Sequence, residues 1–227
     1  VKPYYEEEDI VIYNGDALKI MPTLADKSFD LVLTDIPYNE VSRESNGLRN
    51  LDKDDADICN FSILEAQNEL IRLSRGSGYI FCGWEQISGL INNLVKNKLS
   101  ARIGVWQKTN PSPMNGKSIW LSGIELCAYW KNKGATFNEI FKSPVWEFSS
   151  GRSKRHPTEK PLKLFEYLMS VSSNEGGIII DPFMGSGTSL VAAKKLGRKA
   201  VGIEISEKYC GMAVDRIKET KRQFKLF

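Results

Sequence analysis

Two short segments of this 227-residue chain concentrate residues that could do chemistry. The first, Thr34-Asp35-Ile36-Pro37-Tyr38, follows the apolar stretch 31–33. It joins a carboxylate, a carbonyl and an aromatic ring, the parts needed to hold a planar amine. Pro37 keeps the residue before it extended, which restricts where the Ile36 carbonyl can point. Two acceptors on the amine hydrogens, Asp35 and that carbonyl, would favour a more nucleophilic nitrogen. Tyr38 could stack on the ring that carries it. Taken alone, such a segment is more often an ordinary strand-to-loop turn.

The second segment, Asp181-Pro182-Phe183-Met184-Gly185-Ser186-Gly187-Thr188, lies between the β-rich run 178–180 and a stretch of helical period. Its glycines allow the backbone to turn tightly beneath a bound cofactor, at the end of a parallel sheet where ligands bind. A dinucleotide fingerprint would need a third glycine, and that place holds Leu190, which weakens a nicotinamide reading. Glu204, about 20 residues further on, ends the run 201–205 and is placed to accept hydrogen bonds from both hydroxyls of a ribose.

The elements that must position these segments are legible from apolar spacing. Residues 10–13, 29–34, 79–82, 177–180 and 199–203 read as buried parallel strands. Residues 102–107 and 124–130 read as an antiparallel edge pair joined by a Pro-, Asn- and Gly-rich loop over 110–123. Ile63, Leu64, Gln67, Leu70 and Ile71 form one helical face and Ile87, Leu90, Ile91, Leu94 and Val95 another. Pro161 opens a helix, 189–196 ends at Gly197, and a last helix starts at Ser206. Alternation of strands and helices implies a sheet covered on both faces. Residues 39–57 and 131–155 show no clear periodicity.

Composition bounds the function. With 41% hydrophobic residues the chain builds a full core, and a net charge of only +3 excludes binding to a polyanion through bulk charge. A nucleic-acid surface must therefore be local. Residues 131–160 carry seven Lys or Arg against three acids, with Phe137, Phe141, Trp146 and Phe148 as candidate exposed anchors. A solvated basic loop is the plainer reading of that run. Cys59, Cys82, Cys127 and Cys210 are scattered and His156 is the sole histidine, which argues against a zinc site or disulfide framework. No apolar run is long enough for a bilayer, and residues 6–9 are acidic where a signal peptide would be basic. The expected location is cytoplasmic, with no membrane partner.

These residues together resemble the β group of DNA amino-methyltransferases, which use S-adenosylmethionine. The resemblance covers most of the chain and runs through Asn14-Gly15-Asp16-Ala17, Thr34 to Tyr38, Trp106-Gln107-Lys108-Thr109-Asn110-Pro111-Ser112-Pro113, His156-Pro157-Thr158-Glu159-Lys160-Pro161-Leu162 and Asp181 to Thr188. The base-pocket motif precedes the cofactor motif, as in the circularly permuted order of that group. The family usually has Pro where this chain has Ile36.

The resemblance implies an α/β class I methyltransferase fold, Rossmann-like, with a mixed seven-stranded sheet and helices on both faces. It implies one domain over 1–227 with a small target-recognition insertion at approximately 131–155. Asp35, Ile36, Pro37 and Tyr38 would be catalytic. Asp181, Phe183, Gly185, Ser186, Gly187 and Thr188 would line the methionine and adenosine site, Glu204 would hold the ribose, and Asp16 with the Ala17 backbone would meet adenine. Thr158 and Lys160 would reach the cofactor's carboxylate side. Arg43, Arg49, Lys108, Arg152, Lys154 and Arg155 would contact double-stranded DNA. The implied reaction is methyl transfer to adenine N6 after base flipping, by direct displacement without a metal. Cytosine N4 and a catalytically silent DNA-binding relative stay open as alternatives, with Asp at position 35 leaning towards adenine. Cytosine C5 is excluded, because no cysteine follows a proline. A homodimer and a cognate restriction nuclease are the further partners that family habit suggests.

Overall fold

The structure, a computed structural model, describes residues 1–38, 61–113, 116–151 and 160–222. Nine strands form one sheet among these residues: β1 (Tyr5–Glu7), β2 (Ile10–Asn14), β3 (Phe29–Asp35), β4 (Ser74–Cys82), β5 (Ser100–Lys108), β6 (Ile124–Lys131), β7 (Val145–Phe148), β8 (Ile178–Asp181) and β9 (Lys199–Glu204). Their order across the sheet is β1-β2-β9-β8-β3-β4-β6-β5-β7. The run β2-β9-β8-β3-β4 is parallel throughout, and β6 is antiparallel to both β4 and β5. The helices are α1 (Ala17–Ile20), α2 (Ile63–Leu73), α3 (Ile87–Lys96), α4 (Leu162–Ser172), α5 (Thr188–Lys195) and α6 (Glu207–Glu219).

The apolar stretch 31–33 reflects burial on both faces of β3, where Leu31, Val32, Leu33 and the polar Thr34 are all fully buried. Side chains alternate between faces, so Leu31 and Leu33 pack with Phe165, Leu168, Leu190, Ala213 and Ile217 from α4, α5 and α6. Val32 joins Leu70, Leu73, Leu90 and Leu94 from α2 and α3 on the other face. The class I architecture is as expected; the strand count is nine instead of seven. The two additions are β1, whose Tyr-Glu-Glu carries no apolar alternation, and β7, a four-residue strand inside the aperiodic stretch 131–155.

β5 and β6 do pair antiparallel, but β6 lies inside the sheet and β7 adds parallel to β5 as the edge. Residues 132–144 consequently leave the sheet at the end away from Asp35, since β6 runs against β4. Phe137 and Phe141 are exposed there, whereas Trp146 is buried and Phe148 packs against the core. The α2 face keeps Gln67 and Leu70 of the expected one but gains Ala66 and Leu73 in place of Leu64. Gln67 is satisfied inside by donating to the Leu90 carbonyl at 3.1 Å and accepting from Asn93 at 2.8 Å, while Leu64 is exposed. Among the described residues no helix is long and apolar enough to cross a membrane.

Candidate active site

Chain order along the sheet breaks where β8 lies beside β3, with Leu31 opposite Ile179 and Val32 opposite Ile180. Such a switch point opens a crevice at the carboxyl ends of the strands. Both chemistry-bearing segments begin there, Asp35 ending β3 and Asp181 ending β8. Pairing of two strands distant in sequence thus makes neighbours of the amine-holding and glycine-rich segments.

Asp35 sits in a buried ionic network. Its Oδ2 accepts from the Lys160 Nζ at 2.5 Å, and the same ammonium lies 2.9 Å from Glu125 Oε2. Glu125 Oε1 is 2.8 Å from Lys108 Nζ, and its Oε2 accepts from the Tyr38 hydroxyl at 3.1 Å. The Lys160 ammonium also lies 5.1 Å from the centre of the Tyr38 ring and 5.7 Å from that of Phe81. Asp35 Oδ1 is buried, and the Tyr38 hydroxyl beside the carboxylate helps to hold its charge. Burial pushes the Asp35 carboxyl above the usual carboxylate range and Glu125 adds to this, while Lys160 pulls it down. Lys160 is held above its ordinary value: burial disfavours its charge, but Asp35 and Glu125 outweigh that.

The loop behind Asp35 is fixed by a residue that sequence reasoning missed. Gln86 donates to the Pro37 carbonyl at 3.0 Å and accepts from the Gly83 N–H at 2.7 Å. Ile36 is anchored through its N–H to the Phe81 carbonyl at 3.2 Å. Glu125 was missed as well. Its signal was weak, a single acid opening an otherwise apolar strand.

Replacing Lys160 tests the network. Its side chain is 5% exposed, so Lys160→Met leaves two carboxylates facing each other without their shared cation. Breaking such a pair costs roughly 3–5 kcal/mol, here towards the low end because Asp35 is 27% exposed. The expected result is a lowered Tm together with a shift of the acid limb of activity to higher pH, since the group that holds the Asp35 carboxyl down is gone.

The glycine-rich segment is braced by Asp181. Its Oδ1 accepts from the Thr34 hydroxyl at 2.6 Å and the Phe183 N–H at 3.2 Å, and its Oδ2 from the Ser189 hydroxyl at 2.5 Å. Asp181 thereby acts as a strut between β3, the turn and α5. Burial raises its carboxyl to about 7 despite these donors. The folded state then keeps a proton that the unfolded chain releases from about pH 4 upward. This stabilisation is full below the unfolded pKa and is lost as pH rises through about 7, by up to roughly 1.4 kcal/mol per pH unit. Asp181→Asn, whose amide can donate to Ser189, should remove that slope from Tm measured across pH 4–7.

The two glycines differ. Gly185 has φ +51° and a side chain built on it would meet nothing within 4 Å, so it turns around open space. Gly187 has φ +80° and its side-chain direction runs into Ala213 Cβ at 2.7 Å, so it serves the packing of α6 instead of making room for a ligand. Glu204 faces the turn, with Oε2 accepting from the Gly185 N–H at 3.0 Å and Oε1 from the Ser206 N–H at 2.8 Å. Phe183 stacks on Phe61, with centroids 5.0 Å apart and planes within 9°. Arg216 donates to the Ser186 hydroxyl at 2.7 Å and to the Thr188 hydroxyl at 3.2 Å. Asp16 caps α1 by accepting from the Leu18 N–H at 2.9 Å, and Ala17 is buried beside it. Asn14 ties this corner to β9 by donating to the carbonyls of Glu204 and Ile205, each at 3.0 Å. An open turn, an acid beside it and a second strand end at the rim suit a nucleoside-bearing cofactor.

The structure therefore brings together Asp35, Tyr38, Lys108 and Lys160 in one cluster and Asp181, Phe183, Gly185 and Glu204 in another. Lys108 and Lys160 are engaged with the protein's own carboxylates, an arrangement the sequence reading did not anticipate. Arg43, Arg49, Arg152, Lys154, Arg155, His156 and Thr158 lie outside the described residues.

Comparison with known proteins gives the family and the fold. The family model described as "DNA methylase" matches residues 29–215. The type II methyltransferase M.HpaI of Haemophilus parainfluenzae is 31% identical over 229 residues, 89% of this chain and 72% of the relative. M2.LlaDCHI of Lactococcus lactis subsp. cremoris is 27% identical, covering 95% of this chain and 92% of its own length. Among solved structures, the complex of M1.HpyAVI with SAM has a TM-score of 0.72 at 30% identity and covers 92% of this chain and 98% of that one. The cytosine-N4-specific PvuII DNA methyltransferase reaches a TM-score of 0.73 at 17% identity, covering 95% and 88%, which is a likeness of fold.

Proposed function

This chain belongs to the DNA methylase family of N6 and N4 amino-methyltransferases, and on that premise we propose that it methylates the N6 of adenine in a short sequence of double-stranded DNA. The observation that carries the reading is Asp35 at the end of β3 beside the switch point, its Oδ2 held by Lys160 and its side chain still 27% exposed. S-adenosylmethionine supplies the methyl group as an activated sulfonium. Gly185 leaves room for it, and Glu204 stands where a ribose would lie. The target base, flipped from the duplex, stacks on Tyr38, an interaction worth about 1–3 kcal/mol. Asp35 and the Ile36 carbonyl accept the two amine hydrogens, which turns the nitrogen lone pair towards the methyl group and disperses the charge that develops on nitrogen. Lys160 and Glu125 hold Asp35 and Tyr38 in place for this.

Burial keeps the described thiols protonated: Cys82 and Cys210 are pushed up to about 12 and Cys127 is raised well above its usual value. This supports amine methylation over a thiolate attack on a ring carbon. Cytosine N4 is the second reading, favoured by the PvuII likeness in fold, while Asp at position 35 favours adenine. We place the enzyme in the cytoplasm as one domain. DNA contacts would come from Arg43, Arg49, Arg152, Lys154 and Arg155, and a second copy and a cognate nuclease are the partners to test. Methylome sequencing of a bacterial host expressing the chain decides the reading. N6-methyladenine in a defined site is expected; N4-methylcytosine would give the second reading, and an unmodified genome would overturn both.

A further inference from the structure

The connection between β5 and β6 carries the most exposed tryptophan of the described residues. Trp120 is 95% exposed, with Ile119 at 67% and Leu121 at 43% beside it. Isolated exposed apolar residues are ordinary, but three in succession on a held loop mark a contact surface. The loop is held at its base. The Lys108 N–H donates to the Gly123 carbonyl at 2.7 Å, and Asn110 joins Ser150 by accepting from its N–H at 2.7 Å and its hydroxyl at 2.9 Å. The two ends of the connection are active-site residues. Lys108 closes β5, Glu125 lies one residue into β6, and the two are 2.8 Å apart in the network that holds Lys160 and Tyr38.

We propose that Trp120, flanked by Ile119 and Leu121, is a stacking wedge that enters the DNA duplex and fills the gap left by the flipped base. This rests on the reading of the site as an amino-methyltransferase. The argument for DNA as the occupant is continuity with that site. A base drawn onto Tyr38 leaves its neighbours unstacked, and an apolar side chain inserted between base steps restores contact on both its faces. An indole has the area for this, and a loop rooted at Lys108 and Glu125 leaves the sheet at the same end as Asp35, the end that must face the duplex. Lys117, exposed on the same loop, is of the right sign for a phosphate.

The test uses the full chain and the site read from the methylome. Duplexes carry that site either fully paired or with the target base mismatched, which lowers the work of flipping. Trp120→Ala should lower the methylation rate on the paired duplex about ten- to a hundredfold, the size of a lost base–aromatic stack. On the mismatched duplex the loss should largely disappear, and Trp120→Phe should restore most of the paired rate. Tm and S-adenosylmethionine affinity should stay at their wild-type values, since the side chain is in solvent. An unchanged rate, or an equal loss on both duplexes, overturns the wedge. So does sedimentation showing a wild-type dimer that Trp120→Ala dissociates, because a second copy would then cover the loop. A wild-type chain that methylates neither duplex overturns the function itself, and the wedge falls with it.

Discussion

Asp35→Ala is expected to lower methyl transfer by about 10²- to 10⁴-fold, the range for losing a group that handles proton and charge at the reacting atom, while cofactor affinity stays unchanged. The reason is geometric. Asp35 ends β3 on the amine side of the crevice, whereas the open turn at Gly185 and the Glu204 carboxylate belong to β8 and β9. The variant should fold, because Lys160 keeps Glu125 at 2.9 Å and its ammonium is not orphaned. Transfer of labelled methyl groups to plasmid DNA and titration calorimetry with S-adenosylmethionine give the two numbers. An equal loss in both would place Asp35 in the cofactor site instead.

The second large effect concerns the glycines. Gly185→Leu should weaken cofactor binding on the order of a hundredfold, the upper end of what forced overpacking costs at ~3 kcal/mol. Its side chain enters open space, so the protein folds, at a strain of roughly 1–2 kcal/mol for a left-handed residue. Gly187→Leu should behave differently. Its Cβ would stand 2.7 Å from that of Ala213 on α6, and the expected outcome is a fall in Tm through displaced packing. Calorimetry and circular dichroism on both variants separate the cases; a Gly185→Leu protein with wild-type affinity would move the cofactor elsewhere.

The sequence carried β3, β8, β9 and residues 79–82 of β4 because they are buried on both faces and largely apolar, whereas the Ser- and Gly-rich first half of β4 gave no such signal. It carried the two motifs because proline and glycine restrict or release the backbone in ways that do not depend on the rest of the fold. What it did not carry depends on distant partners. The strand character of β7 comes from pairing with β5, and the burial of Trp146 from contact with Tyr79 and Phe81. The roles of Lys160, Glu125 and Gln86 likewise arise only when four strand ends meet. Lys160 looked like a cation for a ligand, yet two carboxylates far from it in sequence reach it first.

The seating of β2 has a consequence for how the enzyme comes into being. β2 pairs with β1 and β9 alone, and Asn14 reaches the Glu204 carbonyl across 190 residues. On a ribosome adding about 5–20 residues per second, those residues take on the order of 10–40 s to make. For that interval the first hairpin has no sheet to join, and the corner holding Asp16 and Glu204 does not exist. A nascent chain therefore has its Asp35 half long before β9 is there to close the corner around Asn14 and Glu204. Closure between such distant strands is also the slow kind of contact to form, so the β2–β9 pairing is expected to be a late step in refolding.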